Sequence, residues 1–111
     1  MTGIILIFSN REQHLDKDEF TTFLKEYPDV RLCLVNNGSI DNTLTLLQEL
    51  EHRYPKRISV IDLKVKREHD FALRNGFRLL MRNKNIDKVN YGVNMELQDL
   101  KTAIEFGSNN S

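Results

Sequence analysis

Four short polar clusters in this 111-residue chain hold the side chains able to do chemistry. They are Ser9-Asn10-Arg11, Asn36-Asn37-Gly38-Ser39, Lys64-Val65-Lys66-Arg67-Glu68-His69 and Asn94-Met95-Glu96. A side-chain amide donates and accepts hydrogen bonds at once, a carboxylate only accepts, and an ammonium only donates. Two adjacent amides therefore suit a partner of mixed polarity, the basic loop suits an anion, and Glu96 suits a cation or a proton. Each cluster also has a plainer role. Asn-Asn-Gly-Ser makes a good turn, because Asn and Gly tolerate left-handed backbone. The basic loop resembles any solvated loop, and Glu96 would be favoured by the dipole at a helix start.

Other chemistries find no support. His14, His52 and His69 lack metal-ligand spacing. Ser39 and Cys33 have no base partner in the sequence, so nucleophilic catalysis is not indicated. Neither GxxxxGK[ST] nor GxGxxG is present. A phospho-acceptor receiver would carry acidic residues where this chain has Ser9-Asn10.

The elements that must position these clusters follow from hydrophobic periodicity. Ile4–Phe8 and Val30–Val35 are nearly continuous apolar runs, as in strands buried on both faces. Ile58–Leu63 and Lys88–Val93 mix in polar residues, as strands nearer a sheet edge do. Phe20, Phe23, Leu24 and Tyr27 recur at helical spacing, capped by Asp16 and stopped by Pro28. Leu44, Leu47 and Leu50 mark a second helix capped by Asp41. Ala72, Gly76, Leu79 and Leu80 mark a third, and Leu97, Leu100 and Ile104 a fourth. The order β-α-β-α-β-α-β-α predicts a three-layer α/β/α domain over residues 1–107, with 108–111 a frayed tail. In such sheets ligands bind beyond the carboxyl ends of the strands, where the four clusters fall.

Composition excludes several partners. The formal net charge is zero, so no global field draws nucleic acid or an anionic membrane. No apolar run approaches the ~20 residues a membrane-spanning helix needs. Cys33 stands alone, which excludes an internal disulfide and fits a cytoplasmic location. Set in an apolar run, it reads as a packed thiol.

Four segments together resemble the first half of a family 2 glycosyltransferase, the GT-A nucleotide-diphospho-sugar transferase fold. Ile7–Glu12 (IFSNRE) resembles the family's first strand ending. Val35–Thr43 (VNNGSIDNT) is similar to its V-D-D-G-S-x-D-x-T, the most specific of the set. Phe71–Phe77 (FALRNGF) resembles its A-x-R-N-x-G helix. Tyr91–Leu100 (YGVNMELQDL) falls where the family has a strand, a D-x-D motif and a helix.

The resemblance implies a four-stranded parallel sheet of order 3-2-1-4 and a nucleotide-sugar, usually UDP-linked, as ligand. The implied nucleotide-binding residues are Ser9, Asn10, Asn36, Asn37, and Lys66 or Arg67. Uracil offers a donor flanked by acceptors, which an amide can match as a carboxylate cannot. Asn94 and Glu96 fall at the D-x-D positions, where the family binds Mg²⁺ or Mn²⁺. One carboxylate has become a neutral amide, so metal binding is expected to be weak or absent. The family's acceptor half and catalytic base lie beyond the D-x-D helix, and no matching motif places a base here. The expected function is thus a truncated, nucleotide-sugar-binding domain, inactive or weak alone, with no catalytic residue assigned. The alternative is a non-catalytic interaction or assembly module on the same scaffold. Its open sheet edge would pair with a second copy or a partner chain.

Overall fold

The structure, a computed structural model, describes residues 1–107, with side chains through Glu105. The expected tail at 108–111 lies outside the described residues. The elements run β1 (Thr2–Phe8), α1 (Lys17–Glu26), β2 (Val30–Asn37), α2 (Thr43–Arg53), β3 (Ile58–Leu63), α3 (His69–Leu80), β4 (Lys88–Val93) and α4 (Leu97–Gly107). A single 3-10 turn, Glu12–His14, follows β1 and has no signature in the apolar periodicity.

All strand pairs are parallel, in the order β3-β2-β1-β4. The chain winds from β1 to β2 to β3, then crosses to the far side of β1. That reversal obliges α3 to pass over the opposite face, as right-handed connections require. The packing agrees. Ile4, Leu6, Leu32 and Leu34 point toward α1, α2 and α4, where they meet Phe23, Leu47 and Leu100. Ile5, Ile7, Cys33 and Val35 point toward α3 and meet Ala72 and Leu80. The continuous runs of β1 and β2 are thus explained by burial on both faces, each fully buried Ile or Leu contributing about 1.5–3 kcal/mol. The mixed runs are the two edges, β3 and β4.

Two local features fix how the layers sit. Gly76 lets α3 approach β1 closely, since a Cβ there would lie 2.8 Å from Ile5 Cγ2. Asp16 caps α1 by accepting a hydrogen bond from the Asp18 amide at 2.9 Å, and the helix ends before Pro28.

One boundary differs from the sequence reading. The apolar run of β2 stops at Val35, but the strand continues through Asn36 and Asn37. Both amides remain in register, Asn36 between Phe8 and Asp62, Asn37 beside Leu63. They are 3% and 1% exposed, so they belong to the buried sheet and the turn begins at Gly38. Flanking strands on both sides outweigh the turn preference of Asn.

Candidate functional site

The end of β2 sets the site. Side chains alternate along a strand, so Asn36 and Asn37 face opposite sides of the sheet. Asn37 is fully used. Its Oδ1 accepts from the Arg67 amide at 2.8 Å, and its Nδ2 donates to the Arg67 carbonyl at 2.9 Å. The side chain thereby imitates one more rung of a strand ladder and holds the loop between β3 and α3. Gly38 adds a second hold. Its φ is +65°, and a Cβ there would lie 2.4 Å from the Lys66 nitrogen. Backbone touches backbone, and only glycine fits.

Asn36 is half used. Its Nδ2 donates to Asp62 Oδ1 at 3.0 Å, while its own Oδ1 is buried with no hydrogen-bond partner. Among the described residues it is the single buried side-chain polar atom in that condition. A carboxylate only accepts, so Asp62 fixes which end of the amide is which. Asp62 is a residue the sequence reading passed over. Its signal was a charge at the end of an otherwise apolar strand.

The loops after β1 and β2 are laced together. Asn10, in left-handed conformation at φ 53°, donates through its backbone amide to Ser39 Oγ at 3.0 Å. Its Oδ1 accepts from the Ile40 amide at 2.8 Å. The Arg11 amide donates to Thr43 Oγ1 and the Glu12 amide to Asp41 Oδ2. Asn42 returns two bonds to the Glu12 carboxylate. Asp41 Oδ1 also accepts from the Thr43 amide and hydroxyl, which starts α2. Burial pushes the Asp41 carboxyl upward, but the bonds from Thr43, Glu12 and its own amide outweigh this and hold it below its ordinary value. The cap position itself is Asn42, which makes no side-chain cap bond, so Asp41 stands one residue ahead of the place expected for it. From there it braces the first residue of α2 and joins the two loops.

At the winding reversal, between β1 and β4, Asn94 closes the crevice. Its amide donates to the Ile7 carbonyl at 2.7 Å, and its Oδ1 accepts from the Ser9 amide at 3.0 Å. The residue sits at φ 47° to do so. Ser9 and Asn94 are thus brought together, as are Asn10 and Ser39. Glu96, exposed just before α4, has no side-chain bond to these groups. The donors fit a divalent cation poorly. One is a neutral amide oxygen already engaged, the other a lone carboxylate, whereas Mg²⁺ and Mn²⁺ favour several hard oxygens, anionic ones among them.

In the basic loop, the Arg67 guanidinium lies 4.0 Å over the Phe71 ring, turned toward α3. Lys64 and Lys66 are exposed and form no ion pair among the described residues. Cys33 is buried, and burial, aided by the Glu51 charge, pushes its thiol up to about 12, so it is inert. The surface cavities lie elsewhere. Two are at the amino-terminal end of the sheet, one lies between α1 and α4, and two flank β4. None of these five includes Ser9, Asn10, Asn36, Asn37 or the basic loop, although the one on the α4 side of β4 reaches Met95.

The sequence matches the family model described as "Glycosyl transferase family 2" over residues 4–81 of the 111. The chain belongs to glycosyl transferase family 2. No curated protein matches it. The matched span of this glycosyltransferase-family chain takes in β1 through α3, and so includes Asn10, Asn36, Asn37 and the basic loop. Asn94 and Glu96 fall after it. The four-stranded parallel sheet with its helices is a GT-A-like domain.

Proposed function

We propose that this chain binds a uridine diphosphate sugar at the carboxyl ends of β1 and β2 and does not transfer the sugar alone. Family membership supports the ligand class. The observation that carries the base assignment is the unpartnered Oδ1 of Asn36. A buried acceptor left without a donor costs about 1–3 kcal/mol, a cost that a ligand N–H relieves. Because Asp62 holds the amide nitrogen, the group presented to a base is an acceptor. Uracil carries an N–H at its third ring position, while cytosine carries a lone pair there. Oδ1 is shielded in the free chain, so the base reaches it after a small shift of the side chain or of the loop above.

In this reading Asn37 and Gly38 hold the loop that carries Lys66. The Lys66 ammonium, free of any internal carboxylate, offers charge to the diphosphate. Ser9 shapes the ledge between β1 and β4, and Asn10 the one between β1 and β2. The poor donor set at Asn94 and Glu96 makes the binding independent of metal. No residue described here is assigned as a catalytic base.

Isothermal titration calorimetry with UDP and CDP tests the proposal. Losing one buried donor–acceptor match is worth about 1–3 kcal/mol, so UDP should bind about 5- to 150-fold more tightly. Asn36→Leu should abolish the preference. Equal affinity for the two nucleotides, or none at millimolar concentration, would remove the base assignment.

A further inference from the structure

The chain contains two Asn-Gly sequences, Asn37-Gly38 and Asn75-Gly76. Such a pair is prone to deamidation, because glycine has no Cβ to keep its backbone nitrogen away from the preceding side chain. The Gly nitrogen attacks the side-chain carbonyl carbon of Asn, ammonia leaves, and a five-membered succinimide forms. Water then opens the ring at either carbonyl, giving aspartate or isoaspartate. The reaction needs no other reagent, but the side chain must be free to swing onto the next peptide.

In the folded chain neither pair has that freedom. Asn37 is buried and spends both ends of its amide on Arg67, while the Gly38 nitrogen donates to the Leu63 carbonyl at 2.8 Å. Asn75 donates to the Phe71 carbonyl at 2.8 Å in the middle of α3, and Gly76 is packed against Ile5. The two guards differ. Asn75 is guarded by a helix packed on the central strand, and is released only when the domain unfolds. Asn37 is guarded by the loop between β3 and α3, whose residues 64–68 are all exposed. Among the described residues, the two bonds to the Asn37 side chain are the only hydrogen bonds tying residues 64–67 to the rest of the chain. The stacking of Arg67 on Phe71 holds the loop to α3, not to β2.

We propose that Asn37 is a deamidation site gated by this loop, and that its conversion releases the loop permanently. Exposing it takes the two Arg67 bonds and the Gly38–Leu63 bond, a local opening far smaller than unfolding. Aspartate would then set a carboxylate against the Arg67 carbonyl, acceptor facing acceptor. Isoaspartate would lengthen the main chain by a methylene just where β2 pairs with Leu63, and shorten the side chain that reaches Arg67. Either product destroys the latch whose bonds had kept the reaction slow. The change is therefore one-way, and one such event leaves the basic loop unlatched. The latch needs no nucleotide, so it stands apart from the base assignment at Asn36.

Incubation of the full chain in neutral buffer, with urea below and above its unfolding midpoint, tests the proposal. Peptide mass spectrometry and isoaspartate-specific methylation read each Asn-Gly site, with Asn75 as the internal control. Without urea both sites should convert slowly. Below the midpoint Asn37 should convert about tenfold or more faster than Asn75, because loop opening is then commoner than unfolding. Above the midpoint the two rates should be comparable. The product mimic Asn37→Asp, its fold verified by circular dichroism, should be cut by brief trypsin treatment after Lys64, Lys66 or Arg67. Cutting should be about tenfold faster than in wild type, the factor that one lost hydrogen bond gives to the open population. Three results would each overturn the proposal: equal conversion of both sites below the midpoint, conversion of Asn37 in the folded chain at its unfolded rate, or unchanged cutting of the folded variant.

Discussion

Asn37 and Arg67 are joined by a reciprocal pair of hydrogen bonds, side-chain amide to main-chain amide, at 2.8 and 2.9 Å. Thirty residues separate them in sequence. The pair turns a turn-forming residue into a clamp on the basic loop. Asn37→Asp keeps the acceptor but removes the donor, leaving the Arg67 carbonyl facing a carboxylate. Urea denaturation should show a loss of about 1–3 kcal/mol. Asn37→Asp at wild-type stability would mean the clamp is not needed.

Asn36 should behave in the opposite way. Replacing it by Leu removes an acceptor that has no partner, and the exposed Asp62 regains water in place of the lost bond. Stability should hold or rise by up to about 1–3 kcal/mol while the preference for UDP disappears. Thermal unfolding and calorimetry on the same variant would check both halves. A substitution that stabilises the fold and removes binding marks a residue kept for its ligand.

Gly38→Ala should be among the most damaging single changes. Left-handed backbone and the 2.4 Å approach to the Lys66 nitrogen act together. Adding the strain of that conformation to an overpacked contact gives about 2–5 kcal/mol. The drop in melting temperature would measure it.

Acid should loosen the lacing between the β1 and β2 loops. The folded Asp41 carboxyl lies below its ordinary value of 3.8, so its contribution is fully present above that pH. The contribution is lost as pH falls through the lowered folded value. The gap in melting temperature between wild type and Asp41→Asn should be constant above about pH 5 and shrink below about pH 4. A gap that persists to pH 2 would show that shape rather than charge matters there.

Metal dependence should be absent and should be creatable. Nucleotide affinity should be the same in EDTA and in Mn²⁺. Asn94→Asp keeps an acceptor for the Ser9 amide, suits the same left-handed backbone, and adds an anionic oxygen near Glu96. Titration of that variant should show affinity that rises with Mn²⁺. Wild-type affinity that falls in EDTA would return Asn94 and Glu96 to the role of ligands.

The order of strands and helices could be read from periodicity alone, because alternation at two or 3.6 residues is a local property. The same holds for the parallel sheet, its central pair of strands and the polar clusters at its carboxyl end. The motif around Asn36-Asn37-Gly38-Ser39 carried the family with it. Which atom of which amide stays free was decided elsewhere. Asn36 and Asp62 meet only because β2 and β3 pair in one register, and Asn37 meets Arg67 only because the basic loop folds back over Gly38. Asn37-Gly38 and Asn75-Gly76 are alike in the chain, and it is the fold that puts one under an exposed loop and the other inside α3. A side chain's type is written in the chain, but its partner is set by what long-range pairing brings within 3 Å, and that distance has no local signature.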